Sequence, residues 1–324
     1  MALDEATKEL LRAMAEAAPP GAPPLWELTP EQVRAATAPP EGAERPAGPD
    51  MARVEDVPLT GHDGGAFEVR VLVPHGEVGA IVVYAHGGGW VLESIDGFDR
   101  LGRMLAERSG SAVVLVGYRK APEHPFPTPV EDVWSALEWA AAHAGEIAGA
   151  PGPLMIAGDS AGGNLAAVVA QRARDRGAPS LAAQVLVYPV TDADFGRGSY
   201  SEPENQTFLP AELMRWCWDH YLADEGARLQ PEASPIRAES LAGLPPALVI
   251  TGEHDVLRDE GEAYARRLAD SGVEVRHRRW PGQMHAFLGM IDALPASREA
   301  IDYVSAFIGE RSGSAPAAPW SDAR

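Results

Sequence analysis

Leu154-Met155-Ile156-Ala157-Gly158-Asp159-Ser160-Ala161-Gly162-Gly163-Asn164 runs without a break into Leu165-Ala166-Ala167-Val168-Val169-Ala170. The opening four residues are apolar with no polar alternation, the pattern of a strand buried on both faces. The closing run, rich in Ala and Leu, continues as a helix. Between them stands Gly-x-Ser-x-Gly, the strand–turn–helix arrangement that exposes a serine at the top of a sheet. So sharp a turn crowds its flanks, so Gly158 and Gly162 must lack side chains. Ser160 Oγ then projects above the sheet, and the Ala161 N–H points to where an oxyanion would form. The helix N-terminus adds a favourable partial positive charge there.

Outward from this segment, strand-like runs at 67–73, 80–85, 112–118, 184–188, 247–251 and 273–278 alternate with helical patterns at 98–108, 130–143, 161–176, 260–270 and 298–310. Alternation of this kind predicts an α/β fold, a mostly parallel sheet covered by helices. Gly110, Gly177 and Gly272 each follow a helical stretch, where a left-handed residue ends it. Residues 1–50 differ from the rest. An amphipathic helix over 3–17, with Leu3, Leu10, Leu11 and Met14 on one side, precedes a proline-rich passage and a short helix over 29–36. Leu25, Trp26 and Leu28 mark this arm as docked. Residues 192–235 form a long insertion at a strand end, with a helix over 211–222, and a segment of that kind serves as a lid or binding loop. Its Leu209, Leu213, Met214, Trp216 and Trp218 supply an apolar face for a cap. The expected organisation is an arm (1–50), a catalytic domain (51–191 and 236–311), a cap insertion (192–235) and a frayed tail (312–324).

The 324 residues are 45% hydrophobic, ample for a buried core, and carry 47 acidic against 27 basic side chains, a net charge of −20. Such a surface repels phosphate backbones and anionic lipid headgroups, which argues against nucleic acid as partner. No stretch approaches the ~20 uncharged apolar residues of a membrane span, so stable membrane insertion is not expected. The first residues lack a basic region followed by an apolar run, and a cytoplasmic location is the expectation. Cys217 is the only cysteine. It allows no intrachain disulfide and no cysteine-rich metal site, and reads as a small buried hydrophobe.

A serine hydroxyl needs a base to take its proton. With the serine on such a turn, the acid and then the histidine follow on loops after later strands. Leu248-Val249-Ile250-Thr251-Gly252-Glu253-His254-Asp255 supplies a strand and a carboxylate, and Arg279-Trp280-Pro281-Gly282-Gln283-Met284-His285 a strand, a turn and a histidine. Asp255 and His285 are therefore the candidate partners of Ser160. Glu253 and Asp259 compete with Asp255, the first too early in the turn and the second expected to cap the helix at Glu260. Tyr84-Ala85-His86-Gly87-Gly88-Gly89-Trp90 places a glycine run directly after a buried strand. No Gly-Lys-Ser/Thr follows, so a phosphate loop is disfavoured. Beside Ser160 the run reads as an oxyanion-hole loop, with Gly88 and Gly89 as the amides and His86 bracing the loop. Trp90, Tyr188, Phe208, Leu209, Leu213 and Phe287 are the expected lining of a substrate pocket.

These stretches, with YRKAPEHPFPTPVEDV from Tyr118, Tyr188-Pro189 and LPPALVITGEHDVLRDEGEAYA from Leu244, resemble the bacterial hormone-sensitive-lipase-like esterases of the α/β-hydrolase superfamily over roughly residues 50–310. The resemblance implies an eight-stranded, mostly parallel sheet and a helical cap built from the N-terminal arm and the 192–235 insertion. It implies hydrolysis of short- to medium-chain acyl esters, with Ser160, Asp255 and His285 as triad, Gly88, Gly89 and Ala161 as oxyanion amides, and no cofactor or metal. The chain departs from the family at Val256, where Pro is common, and at Ala286, where Gly is common. It also lacks the usual Thr-His pair in Glu93-Ser94-Ile95-Asp96-Gly97-Phe98. An amidase, carbamate or lactone hydrolase would use the same groups, and a ligand-binding receptor could reuse the scaffold, although such receptors lack the histidine present here as His285. Nothing in the residues decides between monomer and homodimer.

Overall fold

The computed structural model describes residues 2–38 and 46–313. In the arm, α1 (Glu5–Ala17) is capped by Asp4, whose side chain accepts from the Thr7 N–H at 2.7 Å. The second helix, α2 (Pro30–Thr37), begins with a capping box between Thr29 and Gln32. The sheet then builds through β1 (Arg53–Thr60), β2 (Ala66–Val73), β3 (Ile81–Ala85), α3 (Ile95–Ser109), β4 (Ala112–Gly117), α4 (Thr128–Ala142), α5 (Ala144–Ala148), β5 (Leu154–Asp159), α6 (Ala161–Arg176) and β6 (Ala183–Val187). After the insertion, which carries α7 (Ala211–Tyr221), come β7 (Ala247–His254), α8 (Arg258–Asp270), β8 (Val275–Met284) and α9 (Pro295–Ser312). The tail expected from 312 is helical at Ser312, and its residues 314–324 lie outside the described ones, as do 39–45 of the arm.

The eight strands lie in the order β1-β2-β4-β3-β5-β6-β7-β8. β2 is antiparallel to both β1 and β4, and the pairings from β4 to β8 are parallel. Alternate residues of the central strands serve two cores. Ile81, Val83 and Ala85 join the core under α4, α6 and α8, while Val82 and Tyr84 join the core under α3 and α9. Both faces are thus buried, which is why these strands read as unbroken apolar runs.

The chain leaves β3 toward β4 on one side and returns to β5 on the other, so β3 and β5 are neighbours, with Ala85 opposite Gly158. Their carboxyl ends open at a topological switch point, where ligands bind in sheets of this class. The glycine run follows β3 and Ser160 follows β5.

Sequence patterning passed over β1 and α5. β1 is an edge strand interrupted by Pro58 and mostly exposed, so no apolar run marks it; proline is tolerated there because an edge strand leaves some N–H positions unpaired. Asp259 does not cap α8 as expected. The helix begins two residues earlier, at Arg258, and the Asp259 carboxylate accepts from the Ser199 N–H at 2.8 Å, tying the insertion to α8. The described part of the arm is docked. Trp216 Nε1 of α7 donates to the Leu28 carbonyl at 3.1 Å, and Arg34 of α2 donates to the carbonyls of Val91 and Ala121 and pairs with Glu123. Among the described residues no helix is long and apolar enough to cross a membrane.

Candidate active site

Ser160 sits at φ 54°, ψ −119°, a conformation costly for a residue with a side chain. Tertiary constraints impose it. The Ser160 N–H donates to the Val187 carbonyl and its own carbonyl accepts from Asn164 and Val190. Methyl groups at the two motif glycines would lie 2.2 Å from the Gly162 carbonyl oxygen and 2.0 Å from that of Ala85. The crowding argued from the sequence is therefore a backbone-on-backbone contact between the elbow and β3.

His285 follows β8 and Asp255 follows β7, and both reach Ser160. The imidazole Nδ1 lies 2.7 Å from Asp255 Oδ2 and Nε2 lies 2.9 Å from Ser160 Oγ. A carboxylate only accepts, so Nδ1 carries the proton and Nε2 is left to accept from the serine hydroxyl. The second Asp255 oxygen accepts from the Leu257 N–H at 2.9 Å, which fixes the carboxylate. Asp255 is wholly buried and His285 and Ser160 are nearly so. Glu253, the competing carboxylate, lies on β7 and accepts from the Gly282 N–H instead.

The glycine loop is gripped from below. The Gly87 N–H donates to Asp159 Oδ1 at 2.9 Å, and the Tyr84 hydroxyl donates to the same oxygen at 3.0 Å. His86 is stacked on Tyr118 at 4.4 Å and its Nδ1 is 2.7 Å from the Gly87 carbonyl, so it braces the loop as expected. Burial pulls its pKa down to about 4, keeping the ring neutral. Burial also raises the Asp159 carboxyl to about 7, with the charge of Glu93 acting in the same direction and the Tyr84 hydroxyl, His285 and the Gly87 N–H opposing. Gly88 and Gly89 take φ of 108° and 60°. Their amides and that of Ala161 meet no backbone acceptor among the described residues. Ala161 is the first residue of α6, where an unpaired N–H is inherent to the helix.

These groups open onto a cavity of about 1240 Å³ whose lining includes Gly88, Gly89, Ser160 and His285. Four of the six residues expected to line it do so: Tyr188, Phe208, Leu209 and Leu213. Trp90 and Phe287 do not. Trp90, at φ 59°, turns away into the core and stacks on Tyr221 at 4.1 Å. Phe287 follows Ala286, itself left-handed at φ 62°, and packs behind the imidazole against Tyr188 and Trp280. Patterning also missed three contributors. Leu11 and Met14 of α1 reach the cavity wall, although their apolar stripe was visible. Cys217 of α7 lines it against the glycine loop, where a methyl on Gly89 would be 2.3 Å from its Sγ. Asp159, which lines the same cavity, was assigned no role from the sequence; its signal is a carboxylate at the end of a central strand. Among the described residues no group of three or more His, Cys, Asp or Glu is placed to hold a metal ion.

Comparison with known proteins agrees with this architecture. Residues 82–289 match the family described as alpha/beta hydrolase fold. The carboxylesterase NlhH of Mycobacterium tuberculosis is 41% identical over 224 residues, 68% of this chain and 70% of that protein. An ethyl acetate hydrolase of Pseudomonas putida is 36% identical over 255 residues, 76% of this chain and 80% of its own. The crystal structure of an alpha/beta hydrolase enzyme from the metagenome of Lake Arreo, Spain, is 34% identical and superposes with a TM-score of 0.88 over 96% of this chain and 99% of that one. The chain belongs to the alpha/beta hydrolase family.

Proposed function

We propose that the chain is a serine carboxylic-ester hydrolase that acts on short- to medium-chain acyl esters through an acyl-enzyme. The observation that carries this reading is the unbroken line Asp255–His285–Ser160, at 2.7 and 2.9 Å, at the mouth of a cavity. His285 Nε2 takes the Ser160 proton as Oγ bonds to the ester carbonyl carbon. The carbonyl oxygen becomes an oxyanion facing the amides of Gly88, Gly89 and Ala161, and each such donor contributes about 2.7–4 kcal/mol to the transition state. The C–O bond to the alcohol breaks, and the leaving oxygen takes the proton from His285. Water, deprotonated by the same nitrogen, adds to the acyl carbon; that intermediate expels Ser160 Oγ, which recovers its proton, and the acid departs. Asp255 holds the ring and stabilises the imidazolium in both halves. Water is the only co-reactant these steps require.

In the same reading, residues 1–50 and 192–235 act as one cap over the catalytic domain of 51–191 and 236–311. Supporting this, Leu11 and Met14 from the arm and Leu209 and Leu213 from the insertion share one cavity wall. The acyl chain lies in that largely apolar space, and chain-length preference follows from its depth. The names of the relatives, a carboxylesterase and an ethyl acetate hydrolase, favour small esters. The test is a p-nitrophenyl ester series from acetate to palmitate with the wild type and Ser160→Ala. Turnover that peaks at short to medium chains and falls by at least ~10³-fold in the variant is expected. Equal turnover by the two proteins contradicts the assignment of the nucleophile.

A further inference from the structure

The cavity wall beside the glycine loop is charged, and its charges are not balanced. Two cations reach it, Arg70 and Arg100, and both are committed. Arg70 is held by Asp56, Asp96 and Asp99, and Arg100 is held by both oxygens of Asp292. Glu93 also lines the cavity and makes no ion pair or side-chain hydrogen bond among the described residues. Its backbone is left-handed, at φ 64°, a conformation disfavoured for a residue with a side chain. Three hydrogen bonds hold this segment in place. The Gly88 carbonyl accepts from the N–H groups of Val91 and Leu92, and the Glu93 carbonyl accepts from Lys120 Nζ. The result is that Glu93 Cβ lies 3.1 Å from where a Cβ on Gly88 would stand, next to the candidate oxyanion amide. Strain spent to bring an unpaired carboxylate to the edge of a reaction centre points to a use for that carboxylate.

The neighbouring groups favour a cation there. Asp159, Asp96 and Asp99 share the lining with Glu93, but Arg70 takes up Asp96 and Asp99 and burial disfavours the Asp159 charge, so Glu93 is the carboxylate left to meet a cation. Asp96 stands in the first turn of α3 and offsets the positive end of that helix. Lys120, partly buried outside the cavity lining, opposes the effect: its ammonium bonds the Glu93 carbonyl and its charge also acts on the Glu93 carboxylate, without a direct ion pair between the two side chains. Phe98 and Phe208 give the same cavity aromatic faces suited to an alkylammonium. The whole chain, at −20, draws cations toward it.

We propose that the cavity selects esters carrying a cationic group a few bonds from the carbonyl, with the Glu93 carboxylate as the group that recognises it. This inference rests on the ester-hydrolase reading and adds a substrate class to it. The probes are acetylcholine and its uncharged isostere 3,3-dimethylbutyl acetate, which share a shape and differ by one charge. The wild type is expected to favour the cation in kcat/KM by about tenfold at low salt, the effect of one unit charge ~6 Å away at an effective dielectric of ~40. Raising salt shrinks the preference. Glu93→Gln brings the ratio of the two esters near one, and Glu93→Lys brings it below one; both substitutions keep a long side chain at an exposed position.

Calorimetric binding of the same two compounds to Ser160→Ala reads the preference without turnover, so a failure of the hydrolase reading is seen apart from a failure of this one. Tighter binding of acetylcholine that depends on Glu93 supports the proposal. A wild-type ratio of one or less, or a preference that survives Glu93→Gln, overturns it.

Discussion

Asp159→Asn separates the role of a buried carboxyl from that of its shape. Asn keeps an oxygen to accept from the Tyr84 hydroxyl and the Gly87 N–H, but it cannot ionise. In the wild type the folded-state pKa stands at about 7 against an ordinary 3.8, mainly because the group is buried. For an acid shifted upward, the stabilising contribution is complete below the unfolded pKa and is lost as pH rises through the folded one. Between those two values the loss is about 1.4 kcal/mol per pH unit, with a ceiling of about 4 kcal/mol for the whole shift. The chain has a pI of about 4.8, so the practical window opens near pH 6, above the region of poor solubility. From pH 6 to pH 9 the wild type should lose about 1.4 kcal/mol relative to the Asn variant, roughly 2 °C in Tm for a chain of 324 residues. Scanning calorimetry of both proteins at the two pH values reads this as a Tm gap that widens toward alkaline pH in favour of Asn. A gap that is constant, or that closes as pH rises, refutes the claim that Asp159 pays to ionise.

Two further substitutions test the loop and the corrected pocket. Gly89→Ala drives a methyl to 2.3 Å from Cys217 Sγ at a left-handed position, so kcat should fall at least tenfold. Adding Cys217→Ala should return part of that loss, because residues in contact couple; strictly additive effects on log kcat would contradict the contact. Trp90→Ala should cost about 3–5 kcal/mol in urea unfolding, as expected of a buried aromatic, while Trp90→Phe leaves the chain-length profile of ester hydrolysis in place. A shifted profile with unchanged stability would return Trp90 to the pocket wall.

The elbow at Ser160 was legible because sterics leave little choice: a serine on a tight strand-to-helix turn needs glycine on either side, and the structure shows both pressed against neighbouring carbonyls. The acid and histidine were legible because each follows a buried strand in a fixed chain order, and the sheet brings both to the same end. Trp90 and Phe287 were misplaced for one shared reason. Each adjoins a residue or turn with positive φ, and such a backbone reverses the side-chain direction that periodicity assumes. β1 escaped notice because an exposed edge strand has no apolar run to announce it. Asp159 and Glu93 escaped because their importance lies in burial and in an unusual backbone angle, and neither property is written in residue type.

Covalent trapping tests the triad most directly. The folded wild type would be treated with a p-nitrophenyl alkylphosphonate and the adduct mapped by mass spectrometry, alongside Ser160→Ala and His285→Ala. One phosphonyl group per chain on the peptide bearing Ser160, no adduct in Ser160→Ala and a rate at least ~10³-fold lower in His285→Ala are expected. Labelling at another residue, or at undiminished rate without the imidazole, would contradict the account.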